Sequence, residues 1–481
     1  MLQRAPKRNT RSYLVILCGV IIVSLIVIIK IQRFEVFQIR SFMSTDDTVT
    51  EFSDTESYFF PRLKKSKTRN YFSNQFTSSN VTESFNTSSF QSVTPYVPFS
   101  QENIGMTLSR IASMFHVDEV SCSAIFKRSK NETDKAMKHA KVFGHAISDA
   151  TYINITYNCQ NFKDERGYIM SSLTKEEEHF PLAFSIVLYT DIETFERLLR
   201  AIYRPQNYYC LHVDKSSSHT FFRAVSAIAD CFPNVFLVDK RIDIVWGEYS
   251  VLEADLLCME DLWTFPNWKY LFTMTGQEFP LKTNHELVKI LTAYKGANDV
   301  KTTAKYALKH RWRNTVPPHG LKPVKGSVHI VVNRDFVDFI LHNETAEELL
   351  NWTKTTFFPD ETFYPILNAN PQLGIRGTYK GEPEMTAGKP FLARYKAWAW
   401  NPAPCAGKYV RGVCILTTGD LPALAEAKQM IANKFFIDWD RLVISCLEEK
   451  IFNDTRDEYL GTKTFDTSYY SGLDFVKNQV T

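Results

Sequence analysis

The stretch PLAFSIVLYTDIETFERLLRAIYRPQNYYCLHVDKSSSHTFFRAVSAIADCFPNVFLVD, residues 181–239, decides the fold. FSIVLY (Phe184–Tyr189) is a short apolar run and reads as a buried strand. DIETFERLLRAIY follows, with Phe195, Leu198, Leu199 and Ile202 at helical spacing. YYCLHVD (Tyr208–Asp214) is the next strand. SSHTFFRAVSAIADCF is a second helix with Ser217 or Ser218 as N-cap, and VFLVD (Val235–Asp239) is a third strand. Downstream, YSVLEADLLCMEDLW reads as a helix and KYLFTMTG as a strand. Strands alternating with helices predict an α/β fold with a mainly parallel sheet. Such sheets bind ligands beyond the carboxyl ends of their strands. Asp214 sits at such an end and is a candidate binding residue, whereas His212 reads as a packed strand residue. Beyond about residue 300 the pattern is less regular and aromatic-rich, which predicts a mixed sheet edge with loops.

Upstream, YLVILCGVIIVSLIVII (Tyr13–Ile29) carries no charge. At about 1.5 Å per residue it spans roughly the thickness of a bilayer core. The run ends in Lys30, Ile31 and Gln32, without the small-residue site of a cleaved signal peptide. A transmembrane anchor at 12–30 is therefore predicted, after a cytosolic tail at 1–11. Flanking charges favour that orientation only slightly: Arg4, Lys7, Arg8 and Arg11 precede the anchor, while Lys30, Arg33 and Arg40 follow it. Sequons carry more weight. Asn80, Asn86, Asn131, Asn154, Asn343, Asn351 and Asn453 all lie in N-x-S/T triplets after the anchor, as suits a lumenal body. Eight of the nine cysteines also follow it, an even number suited to disulfides.

Residues 41–100 hold 22 Ser or Thr among 60, so a poorly ordered stem is predicted over 31–118. A folded body at 119–460 and a C-terminal tail at 461–481 complete the division. A net charge of +3 gives no reason to expect nucleic acid as a partner. Walker A, GxGxxG, HExxH, GxSxG and CxxC patterns are all absent, against an NTPase, a nicotinamide enzyme, a zinc protease and an α/β-hydrolase. The one literal D-x-D, Asp438-Trp439-Asp440, reads as a solvated turn.

Several long runs together resemble one family. They are PLAFSIVLY, RLLRAIYRPQNYYCLHVDKSS, CFPNVFLV, WGEYSVLEADLLCMEDL, WKYLFTMTGQEFPLKTN, GSVHIVVNRDFVDFIL, FFPDE, YVRGVCIL and IANKF, in order from about 120 to 455. The chain is similar to the core-2/I-branching β-1,6-N-acetylglucosaminyltransferases. That resemblance implies a GT-A-type fold, a type II Golgi membrane protein and no metal cofactor. It implies inverting transfer from a UDP-sugar to a 6-hydroxyl of a glycan, most simply N-acetylglucosamine onto an O-glycan core. Two other readings stand beside it: a relative with another donor sugar, such as glucose or xylose, or another acceptor, and a catalytically inactive glycan-binding protein.

The resemblance also implies site residues. Glu361, in FFPDE, matches the catalytic base. Its neighbour Asp360 is the rival, or else a helix N-cap after Pro359. Arg411 and Lys434 match the cations that meet the UDP diphosphate in place of a metal; read alone, Arg411 is a strand surface residue and Lys434 a helix C-cap. Val187 and Asp214 match uridine contacts, with Trp246 nearby. Lys309, Arg311, Trp398 and Trp400 match acceptor contacts, Trp400 replacing a tyrosine. Lys301 stands near an acidic acceptor-binding position, a reversal of charge, and Thr275 replaces a free cysteine. Four disulfides are implied: Cys122–Cys446, Cys159–Cys231, Cys210–Cys258 and Cys405–Cys414.

Overall fold

The computed structural model describes residues 101–140, 146–400 and 404–481. The anchor, most of the stem, Asn80 and Asn86 lie outside them. Among the described residues no helix is long and apolar enough to cross a membrane.

The fold is mixed α/β around a six-stranded sheet. Its strands are β1 (Leu182–Leu188), β2 (Tyr208–Val213), β3 (Val235–Leu237), β4 (Tyr270–Thr275), β6 (Asp299–Thr303) and β7 (Lys325–Asn333), in the order β3-β2-β1-β4-β7-β6. β1 to β4 run parallel; β7 pairs antiparallel with β4 and with β6. The parallel half follows from the sequence pattern. Helices Ile192–Ile202, His219–Ala229 and Tyr249–Trp263 form the crossovers. Ser218, rather than Ser217, caps the second of them, its side chain accepting from Phe221 N. Central β1 is apolar along nearly its whole length because the sheet is covered on both faces. Phe184 stacks between Tyr209 and Phe272 on one face, and Ala183 packs with Leu252 and Met259 on the other.

A smaller sheet sets β11 (Ile431–Asn433) between β5 (Glu278–Pro280) and β8 (Arg394–Tyr395). A hairpin joins β9 (Tyr409–Val410) to β10 (Val413–Cys414). The four disulfides join the same pairs that the resemblance implies. Cys122–Cys446, with a sequence separation of 324, ties the start of the body to its last long helix, Leu442–Tyr459. Closing so long a loop constrains the unfolded chain strongly, by about 4 kcal/mol or more in the chain-entropy account. Beside this bridge Glu448 accepts from both Arg197 and Arg200, a buried charge cluster that fixes the same helix to Ile192–Ile202.

Three expectations need correction. The end of the stem is folded: helix Gln101–Met114 buries Leu108 and Ile111, and Phe115 stacks on Phe452 at 4.1 Å. Residues 461–481 are no free tail. Tyr470, Phe475 and Val476 enter the core, and Gln479 bridges to Tyr379 and donates to Tyr294 O. The D-x-D is not a solvated turn either, because Asp440 is buried and accepts from Thr418 N, Thr418 Oγ1 and Val443 N.

Candidate active site

Val187 lies near the carboxyl end of β1, in register with His212 on β2 and Thr275 on β4. His212 is buried; Ile242 N donates to its Nε2, and burial lowers its pKa, as suits a packed neutral imidazole. Asp214 follows β2 directly. One carboxylate oxygen accepts from Ser216 N and Oγ, and the other from Ile244 N at 3.2 Å. Its first evident work is thus to pin the loop between β3 and helix Tyr249–Trp263, and that loop carries Trp246.

Trp246 is 65 % exposed and touches two further elements. Its ring meets Phe358 edge-on at 4.9 Å, and the Arg411 guanidinium lies 5.5 Å from its centroid. Gly247 adds a backbone bond, its carbonyl accepting from Phe358 N at 3.0 Å. A Cβ on Gly247 would press on the Phe358 ring, and its φ of +83° suits only glycine well.

Phe358 opens the 3₁₀ turn Pro359–Glu361. Oε2 of Glu361 pairs with Arg311 and, at 3.2 Å, with Lys325. Oε1 accepts from no protein group among the described residues. Burial raises the Glu361 pKa, but Lys325 and Arg311 outweigh it and hold the carboxyl below its ordinary value. Asp360 faces inward instead. Burial and the neighbouring Glu361 charge push it up to about 7. It caps no helix: neither the 3₁₀ turn nor helix Phe363–Asn368 has a side-chain cap.

Arg411 sits on the tip of the β9–β10 hairpin rather than within a strand. Val410 pairs with Val413, leaving Arg411 and Gly412 as a two-residue turn with φ of 51° and 76°. Positive φ at both positions is the primed turn that matches strand twist. Glycine tolerates it freely; Arg411 holds it against about 1–2 kcal/mol of steric cost. The Cys405–Cys414 disulfide braces the hairpin base. Lys434 follows β11 and is no helix cap. Burial, and then repulsion from Arg411, lower its pKa. Neither cation has an ion-pair partner among the described residues, and the two stand close enough to repel each other.

On the other side of the hairpin Trp398 and Trp400 stack at 4.7 Å. Trp400 packs over Gly412, and Ala399 N donates to Gly412 O at 2.9 Å. The site thus runs continuously from Asp214 through Trp246 to Glu361, Arg411 and the Trp pair. Lys309 is exposed on the turn Lys309–Trp312, with no side-chain partner among the described residues. Arg311, read from sequence as an acceptor contact, is engaged with Glu361 and lies 4.0 Å from the Phe358 centroid. Sequence reasoning missed Lys325 and Lys396 altogether. Nothing local marks them: Lys325 opens an ordinary strand, and Lys396 follows a two-residue one.

A separate cavity of about 300 Å³, lined in part by Phe115, Arg197 and Arg200, includes none of these residues. Arg197 and Arg200 are already paired with Glu448, and Arg166 and Arg441, which also line the cavity, with Glu196 and Glu193.

The family model for the core-2/I-branching enzyme matches residues 182–425, which span β1 to β10 and hold Glu361 and Arg411. A Rattus norvegicus protein named beta-1,3-galactosyl-O-glycosyl-glycoprotein beta-1,6-N-acetylglucosaminyltransferase 3 is 35 % identical over 360 residues, covering 69 % of this chain and 82 % of its own. A Homo sapiens relative named beta-1,3-galactosyl-O-glycosyl-glycoprotein beta-1,6-N-acetylglucosaminyltransferase is 35 % identical over 369 residues, 69 % of this chain and 85 % of its own. A protein of the same name from Bovine herpesvirus 4 is 36 % identical over 364 residues, 69 % of this chain and 82 % of its own. The chain is a glycosyltransferase of the core-2/I-branching enzyme family.

Proposed function

We propose that the chain transfers N-acetylglucosamine from UDP-N-acetylglucosamine to the 6-hydroxyl of an O-glycan core, with inversion and without a metal, on a GT-A-type fold. As a type II protein of the Golgi membrane it would do so in the lumen. The observation that carries this reading is the double contact of Trp246, which joins the turn of Glu361 to the hairpin tip of Arg411. That contact links a carboxylate whose Oε1 accepts from no protein group among the described residues to a cation without an ion-pair partner among them, which supports a single inverting displacement.

In that reaction the acceptor O6–H gives its proton to Glu361 Oε1 as O6 bonds to the anomeric carbon. The carbon–oxygen bond to UDP breaks on the opposite face, and its electron pair leaves with the diphosphate. Lys325 and Arg311 hold the carboxylate by its other oxygen, so it is aimed and ionised. A positioned general base contributes about 10²–10⁴-fold. Arg411 and Lys434 meet the charge growing on the leaving diphosphate, where preorganised donors act most strongly. The stacked Trp398 and Trp400 rings offer apolar faces to the C–H surfaces of an acceptor sugar. Val187 and Asp214 lie at the strand ends where the uridine would rest. Lys309, exposed on the turn that carries Arg311, would reach the acceptor from there.

The test is UDP release by the full-length protein in detergent, with UDP-N-acetylglucosamine, UDP-glucose and UDP-xylose against a panel of O-glycan acceptors. Acceptor-dependent release from UDP-N-acetylglucosamine, undiminished in EDTA, is expected. Preference for another donor would overturn the donor assignment. Complete loss in EDTA with rescue by Mg²⁺ or Mn²⁺ would overturn the metal-free mechanism.

A further inference from the structure

Four cations gather around Glu361, which can neutralise only part of them. Lys325 and Arg311 are its ion-pair partners. Lys301 and Lys396 stand one step further out, on the acceptor side: their ammonium groups lie 5.9 and 5.6 Å from the centroid of the Trp398 ring. Among the described residues neither lysine makes a side-chain hydrogen bond or an ion pair. The nearest second carboxylate to act on Lys396, Glu278, is buried and already holds Arg394 at 3.0 Å.

The backbone is built to bring Lys301 here. β6 and β7 slip register around Lys301: Val300 pairs with Ile330 and Thr302 with Gly326, so β7 carries the extra residues, Ser327 to His329, opposite Lys301. A bulge re-aims side chains, and the β7 residue beside Lys301 comes too close to it for a Cβ. That residue is Gly326, where an added Cβ would meet Lys301 O at 2.0 Å. Burial lowers the pKa of Lys301 and then Lys325 lowers it further; burial takes Lys396 to about 8. Both shifts mark desolvated cations crowded by like charge and relieved by an arriving anion.

We propose that the acceptor glycan carries an anionic substituent, a carboxylate or a sulfate, held by Lys301 and Lys396 over the edge of Trp398. This rests on the glycosyltransferase reading above and names its acceptor class. A neutral sugar would leave the two lysines uncompensated in a half-buried site. An anionic one gains charge-assisted hydrogen bonds, each sufficient for about a 10-fold or larger preference.

The experiment compares three forms of one O-glycan core disaccharide, neutral, sialylated and sulfated, as acceptors for the full-length protein. Binding of the same three glycans to the protein with UDP is measured in parallel. The expected result is a KM about 10-fold or more lower for one anionic form, a preference that weakens with salt and disappears in Lys301→Gln. The sialylated and sulfated arms tell carboxylate from sulfate. Equal or better use of the neutral form, or equal binding of all three, would overturn the proposal while leaving the glycosyltransferase reading intact. Absence of transfer from any UDP-sugar would count against that reading instead, and the binding arm would still decide the acceptor class.

Discussion

Replacing Glu361 by glutamine is expected to lower kcat by about 10²–10⁴-fold while UDP binding is kept. Glutamine preserves the shape of the side chain and one acceptor oxygen, but it cannot take the proton of the acceptor hydroxyl. The loss of its charge also releases Lys325 and Arg311, so a stability cost of about 1–2 kcal/mol accompanies it. Near-normal turnover would remove Glu361 from the role of base. The pH profile separates it from Asp360. A base works ionised, so activity persists as pH falls until the base is protonated. Lys325 and Arg311 hold Glu361 below the ordinary glutamate range despite its burial, whereas Asp360 is pushed up to about 7. The acid limb of kcat/KM is therefore expected below the ordinary glutamate range if Glu361 is the base, and near neutrality if Asp360 is.

The second large effect belongs to Arg411. Removing one preorganised donor to a developing charge typically costs about 10²–10³-fold in kcat. Arg411→Gly offers an unusual control, because glycine fits a φ of 51° better than arginine does. The variant is expected to match or exceed the thermal stability of the parent while losing this rate and weakening UDP binding. Arg411→Lys should recover only part, since an ammonium restores charge without a bidentate fork. Lys434→Met should show a similar loss in kcat. Wild-type turnover in Arg411→Gly would place the diphosphate elsewhere.

The parallel half of the sheet was legible because each strand and helix there carries its own local pattern. The apolar run of β1, the helical spacing of Phe195, Leu198, Leu199 and Ile202, and the cap at Ser218 each speak within about a dozen residues. Phe475 and Val476 carry no such pattern. They are buried only because distant chain receives them, so residues 461–481 read as a tail. The same holds for Asp440, whose partners include Thr418, 22 residues away. In the site, Glu361, Arg411 and Lys434 were nameable only through resemblance. What aims them lies at long range: Arg311 is 50 residues from Glu361, and Trp246 bridges two segments far downstream. The cluster of Lys301, Lys325 and Lys396 was illegible for the same reason. Three lysines on three strands or loops become one cluster only when β7 bulges opposite Lys301 and the Trp398 ring comes within 5.9 and 5.6 Å of the Lys301 and Lys396 ammonium groups.

The central claim is a single in-line displacement with Glu361 as base, and the anomeric configuration of the product tests it most directly. NMR of the glycan made from α-linked UDP-N-acetylglucosamine should show one new β-linkage, at the 6-hydroxyl. An α-linked product would contradict the account, since retention requires a second displacement that one carboxylate acting as base does not provide.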